Sequence, residues 1–148
     1  MRAVLTRVTE ASVEIDGKIY SEIGTGYLVL LGVSESDTQE DAETLADKVT
    51  KLRVFGDENG KMNLNLETVG GSILVVSQFM LCADLSSRRP GFTKAAKPDL
   101  AVPLYEYFCK KCKEEGFDVK TGRFGADMKV KSVNDGPVTI IFDTRNGG

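Results

Sequence analysis

The chain has 148 residues, 41% of them hydrophobic and 28% charged, and a net charge of −3. A chain of this length buries roughly 70% of its unfolded surface, so it can build a core without staples, and its composition excludes disordered and fibrous classes. There is no histidine, which removes Ser-His and Cys-His nucleophile pairs and every metal site built on imidazole.

Residues 2–8 and 11–15 are rich in β-branched side chains, and Asp16-Gly17 is a strong hairpin turn that returns the chain through 18–23. Gly24-Thr25-Gly26 then breaks the chain. Because a strand pattern follows it rather than a helix, it reads as a tight turn and not as a dinucleotide loop. The run Gly26–Val33 is continuously apolar, as expected of a strand covered on both faces. The first 33 residues therefore predict three or four strands.

Helical spacing of Ala42, Leu45, Ala46, Val49 and Leu52 predicts a helix from Thr38 to Arg53, with Thr38 as N-cap and Asp41 in a capping-box position. Acids fill the first half of that helix and bases the last, which suits its dipole. Residues 57–60 read as a turn, and 72–81 as a second buried strand. Residues 82–98 have no period and read as a long loop, a length that is usually functional or mobile. A second helix is expected from Asp99 to Glu115, stopped by Gly116. Three short strands are expected over 117–123, 127–133 and 138–143, the last two joined by a turn at Asn134-Asp135-Gly136-Pro137. Neither a linker nor an internal repeat divides the chain, so residues 1–148 read as one domain.

The apolar run Gly26–Val33 is far shorter than the roughly 20 residues a membrane helix needs. No secretory signal is visible. Cys82, Cys109 and Cys112 accordingly read as reduced thiols. Cys109 and Cys112 form a C-x-x-C deep in a helix with no second pair, which reads as helix packing rather than redox or zinc chemistry.

Three segments have two readings each. From Leu85 to Pro98 there are four bases and no acid. Arg88-Arg89-Pro90-Gly91-Phe92-Thr93-Lys94 is either a solvated loop or a phosphate contact with an aromatic pocket wall. Ser77-Gln78-Phe79 closes an apolar run with a polar pair; this is either a satisfied end-of-strand amide or a site wall, since strand ends facing a cleft often carry sites. Gly136-Pro137 is most simply a turn, with a special backbone role as the other reading.

Taken in order, these segments resemble the D-aminoacyl-tRNA deacylase (D-tyrosyl-tRNA deacylase) family. Ser77-Gln78-Phe79-Met80-Leu81 is similar to that family's Ser-Gln-Phe-Thr-Leu motif, and Asn134-Asp135-Gly136-Pro137-Val138-Thr139 to its Asn-x-Gly-Pro-Val-Thr motif. Arg7-Val8, the stretch Gly60–Asn65, Arg89-Pro90 with Phe92, and Thr121-Gly122-Arg123-Phe124 with Ala126-Asp127-Met128 extend the likeness over essentially the whole chain.

The resemblance implies a cytoplasmic homodimer that hydrolyses the ester joining a D-amino acid to the 3′ end of tRNA, with no metal, organic cofactor or membrane. It implies a cis Gly136–Pro137 peptide that enters the partner's pocket and excludes L side chains, braced by Arg7. It places Phe124 and Met128 around the terminal adenosine. Gln78 and the backbone of Phe79 and Met80 would face the scissile ester, and Ser77, Phe92 and Thr93 would complete the substrate pocket. Glycyl esters, lacking a side chain, would also be accepted. The expected fold is α/β, or α+β-like: two packed β layers with helices on one side. Met80 stands where the family commonly has threonine, so a side-chain nucleophile is absent there. Catalysis assisted by the tRNA's own 2′-hydroxyl is then the expected route. A non-catalytic module that binds an RNA end is the alternative reading.

Overall fold

The computed structural model describes residues 1–145. The last three residues of the expected domain lie outside them. In chain order the elements are β1 (Arg2–Ile15), β2 (Lys18–Ile23), β3 (Gly26–Gly32), α1 (Gln39–Lys51), β4 (Phe55–Gly56), β5 (Met62–Leu64), β6 (Ser72–Ser77), a 3-10 turn (Phe79–Cys82), α2 (Pro98–Glu114), β7 (Val119–Thr121) and β8 (Lys129–Asp143).

The two stretches expected at 2–8 and 11–15 are one strand, β1, whose buried side changes along its length. Ala3 and Leu5 pack beneath the helices with Tyr27, Val29, Leu31, Leu45, Val49 and Phe108. Val8, Ala11, Val13 and Ile15 turn to a second cluster with Ile23, Leu28, Leu74 and Val76. A strand has period 2, so Leu5 and Val8 face opposite ways without any break, whereas Val8 and Ala11 share a cluster only because the register shifts between Val8 and Glu10. β3 contributes Tyr27, Val29 and Leu31 to one cluster and Leu28 to the other, which is why its sequence is apolar without alternation.

The main sheet runs β2-β1-β3-β6-β7, with β8 along the other edge of β1. β3, β6 and β7 are parallel, while β1 is antiparallel to β3. β2 folds back over β7, where the Ser21 hydroxyl donates to the Thr121 carbonyl at 2.8 Å. One β layer thus holds the start of β1 with β3, β6 and β7, and the second holds the end of β1 with β2. α1 and α2 lie on the outer side of the first layer. The expected two-layer α+β arrangement with helices on one side is the observed one.

Gly26 illustrates how closely β3 and β6 meet. Its φ is +154°, and a Cβ there would stand 1.8 Å from the Ser72 carbonyl oxygen. Helix α1 begins as its sequence predicts: the Asp41 carboxylate accepts from the Thr38 amide at 2.9 Å. Helix α2 begins earlier than expected. It starts at Pro98, one residue before Asp99, with Lys97 as its N-cap, because proline's fixed φ favours the first turn. The turn at 57–60 belongs to a small β4–β5 ribbon, too short to give a periodic signal.

The largest correction concerns the C-terminal part. The strands expected at 127–133 and 138–143 are one strand, β8, and Asn134–Pro137 is not a hairpin. Both halves of β8 pair with β1 in the same antiparallel sense. Thr139 is opposite Thr6 and Asn134 is opposite Val8, so residues 135–138 bulge out opposite Arg7 alone. Turn-forming residues here eject a loop sideways from a continuing strand.

Candidate active site

The parallel strands β3, β6 and β7 end at one edge of the sheet, and several of the sequence-singled residues gather there. Ser77 pairs with Leu31, and the Gln78 amide donates to the Leu31 carbonyl at 2.8 Å. The chain then tightens into the 3-10 turn. Gln78 caps that turn through its side chain, its Oε1 accepting from the Met80 amide at 3.3 Å. Phe79 and Met80 project outward, 48% and 56% exposed. The close approach of Gly32 permits the turn: a Cβ there would meet Leu81 Cβ at 2.9 Å and the Gln78 carbonyl at 3.0 Å.

The 82–98 segment is tied down rather than loose. Asp84 and Gly91 exchange backbone hydrogen bonds of 2.7 and 2.9 Å, and the Ala96 amide donates to the Val33 carbonyl at 2.9 Å. This sets Phe92 edge-on to Phe79, ring centroids 5.0 Å apart. Thr93 follows it, exposed, as are Arg88 and Arg89.

At the adjacent strand end, the Gly122 amide donates to the Val75 carbonyl at 3.1 Å. Phe124 leans toward the helices, edge-on to Tyr105 at 6.2 Å, and Tyr105 is itself fixed by donating its hydroxyl to the Val75 carbonyl at 2.7 Å. Met128 packs against the second cluster and over Gly122, where a Cβ would lie 2.7 Å from its sulfur. Phe124 and Met128 thus flank the same strand end but lean on opposite cores.

The Gly136–Pro137 peptide is cis, and both residues are exposed. Gly136 has a φ of +148°, and a Cβ there would meet the Val138 amide nitrogen at 2.7 Å. Arg7 closes the bulge from behind. Its Nε donates to the Asp135 carbonyl at 2.8 Å, its Nη1 donates to the Val54 carbonyl, and its guanidinium lies 5.9 Å from the Phe55 ring centroid. Phe55 in turn stacks on Tyr27, whose phenol burial pushes well above its ordinary pKa although the Arg7 charge opposes the rise.

Sequence reasoning missed one part of this brace. Asn134 spans the bulge, its Oδ1 accepting from the Val138 amide at 2.9 Å and its amide donating to Thr139 Oγ1 at 3.2 Å. The available signal was an Asn four residues before a backbone amide it could bind, the usual role of Asn side chains in turns.

Within one chain the bulge and the Gln78 wall are apart. Arg7 pairs with Tyr27, whereas Gln78 binds Leu31, four residues further along β3; that is about 13 Å at ~3.3 Å per residue.

The thiols offer no substitute nucleophile. Cys109 and Cys112 are buried in α2, and burial pushes both up to about 12. Burial likewise raises Cys82. The C-x-x-C is helix packing, as its position predicted. Among the described residues no cluster of three or more acid, Cys or His side chains suits a metal ion, and no helix is long and apolar enough to cross a membrane.

The profile of the family described as D-Tyr-tRNA(Tyr) deacylase matches residues 4–143. The chain belongs to that family. A protein of Parabacteroides distasonis named D-aminoacyl-tRNA deacylase is 54% identical over 148 residues, 99% of each chain. One of the same name from Erwinia tasmaniensis is 55% identical over 141 residues, 95% of this chain and 97% of that one. A solved structure titled c-Myc DNA Unwinding Element Binding Protein superposes with a TM-score of 0.92 at 40% identity, covering 97% of this chain and 99% of that one. A structure titled as a probable eukaryotic D-amino acid tRNA deacylase shares the fold, with a TM-score of 0.81 at 18% identity over 95% and 97% of the two chains.

Proposed function

We propose that this protein is a D-aminoacyl-tRNA deacylase working as a cytoplasmic homodimer, in which Gly136–Pro137 of one subunit enters the Gln78–Met80 wall of the other. The observation that carries the reading is the separation just described. The bulge is held stiffly by Arg7 and Asn134 and is exposed, while the wall lies about 13 Å further along the strand direction. A two-fold exchange supplies each wall with the wedge its own chain cannot deliver.

Chiral choice then follows from shape. Main-chain carbonyls of Gly136 and Pro137 hold the substrate's amino group and fill the space that an L side chain needs. A D side chain points away, and glycine, with no side chain, passes the same wall. Rejection of this kind needs rigidity rather than better attraction. Phe124 and Met128 receive the terminal adenosine, and Ser77, Phe92 and Thr93 shape the acyl pocket.

An aminoacyl ester is already activated, so orientation and charge stabilisation are enough. The amides of Phe79 and Met80 open a 3-10 turn, where the first N–H groups lack backbone partners inside the helix; the Met80 amide is held by Gln78 Oε1 and is released when that side chain turns to the substrate. Aimed at the ester carbonyl, they stabilise its oxyanion, an effect for which one lost donor typically costs about 10²–10³ in rate. Water is positioned by the tRNA's terminal 2′-hydroxyl. Met80 contributes its amide only.

Incubation with D-Tyr-tRNA and L-Tyr-tRNA tests the reading: ester loss from the D form alone is expected. Tight binding without release would instead favour a non-catalytic RNA-end module, to which Met80 gives its support. A 2′-deoxy-terminated D-Tyr-tRNA should bind yet hydrolyse at least about a hundredfold more slowly; full-rate hydrolysis would remove the assistance step.

A further inference from the structure

Beside the site, α2 and the end of β7 enclose a cavity of about 460 Å³. Its floor is aromatic, with Tyr105 and Phe124, and its rim carries the exposed Tyr20 with Lys110, Lys113 and Arg123. Glu106 is the one acid on that rim.

Two features set these cations apart from an ordinary solvated helix face. Lys111, the neighbouring base, is neutralised by Glu114 at 3.3 Å and Glu43 at 4.0 Å. Lys110, Lys113 and Arg123 are exposed and, among the described residues, form no ion pair with a carboxylate. Moreover, Glu106, Lys110 and Lys113 follow one another at helical spacing on the face that bears Tyr105. The stripe begins beside Phe124 and runs toward the C-terminal end of α2.

We propose that this stripe holds the phosphates on the 5′ side of the terminal adenosine, so that Lys110 and Lys113 with Arg123 bind the single-stranded 3′ end of tRNA. The proposal rests on the tRNA reading above and adds where the strand leaves the site. A base at Phe124 puts the preceding phosphodiesters over the lysines. The pairing of an aromatic floor with unpaired cations is the usual chemistry of single-strand contact. It also places affinity for the polynucleotide away from the reacting ester, where a stronger hold does not disturb chirality.

The test uses a 5′-fluorescein-labelled ACCA ribonucleotide and the full-length protein, with affinity read by anisotropy across a salt series. The double variant Lys110→Gln and Lys113→Gln keeps helix propensity and is expected to bind about tenfold more weakly, with a salt slope shallower by about 1.4, roughly 0.7 for each lost phosphate contact. With D-Tyr-tRNA, its KM should rise by a similar factor at constant kcat. The D-tyrosyl ester of adenosine, which has no upstream phosphate, should show a KM change of less than about twofold. Oligonucleotide affinity within twofold of the parent, or loss seen only in an Arg88→Gln and Arg89→Gln comparator, would overturn the proposal. If the parent protein binds the oligonucleotide through the lysines but releases no amino acid from D-Tyr-tRNA, the stripe stands and the hydrolase reading falls.

Discussion

Replacing Arg7 with alanine would strip the carbonyls of Val54 and Asp135 of the guanidinium that binds both. The side chain is only 14% exposed, so water is a poor substitute. The expected stability loss is about 1–3 kcal/mol, read as a fall in the urea midpoint. The D/L selectivity of deacylation should fall further than stability alone explains. Lysine should not rescue it, because a single ammonium cannot reproduce two N–H groups in a fixed fork. A second substitution probes the wall. Met80→Thr restores the hydroxyl that the family motif commonly carries, on a residue that is 56% exposed. If the protein contributes only backbone there, the rate on D-Tyr-tRNA should change by less than about threefold; a gain of two orders of magnitude would reinstate a side-chain nucleophile.

At the scale of elements, α1 offers a prediction with a pH axis. Burial opposes ionisation of Asp41, but hydrogen bonds from Thr144 and Thr38 and the charges of the Met1 amino group and Arg145 outweigh it, holding the carboxyl below its ordinary value. A depressed folded-state pKa gives stability that is present above the unfolded value and disappears as pH falls through the folded one. Asp41→Asn should therefore lose about 1 kcal/mol near neutrality, and the gap from the parent should narrow below about pH 4. Urea melts at several pH values would check it.

The capping box was legible because its partners are three residues apart; β3 and β6 were legible because composition alone marks a doubly covered strand, although the second was expected to run on to Leu81, where the chain instead turns into the 3-10 segment Phe79–Cys82. The continuity of β8 was not. Asn-Asp-Gly-Pro has the local chemistry of a turn, and the partner that holds both halves in line, β1, begins 127 residues earlier in the chain than Lys129. Arg7 was equally opaque by pattern. On β1 it is one more polar residue in an alternating strand, and its brace exists only because Val54 and Asp135 arrive from elsewhere. Gln78 was noticed as a polar residue ending an apolar run, but its capping of the next turn depends on geometry that the run does not encode.

For the whole molecule, the proposed exchange of wedges can be separated from a wedge acting within its own chain. Subunits carrying Pro137→Ala have a sound wall, and subunits carrying Gln78→Ala have a sound wedge. Mixed and reassembled, half of the dimers should be hybrids with one complete site, giving about a quarter of the parent D-Tyr-tRNA deacylase activity from two inactive proteins. No recovery in a mixture shown to contain hybrids would place the wedge in its own chain. The three thiols give a global reading of integrity. All are buried, and burial holds Cys109 and Cys112 at about 12, so Ellman's reagent at pH 8 should label the native protein only as fast as it opens. Because those folded-state values are raised, the linked stability is complete below the unfolded thiol value near 8.5 and declines as pH climbs toward 12.

The absence of imidazole anywhere in the chain has a kinetic counterpart. With no imidazole to titrate, an inflection between about pH 6 and 8 should follow the substrate's α-amino group, which the Gly136 and Pro137 carbonyls are proposed to hold, and should shift when that amine is methylated. Mild acidification should then act on the charge of the ester being removed rather than on the scaffold that removes it.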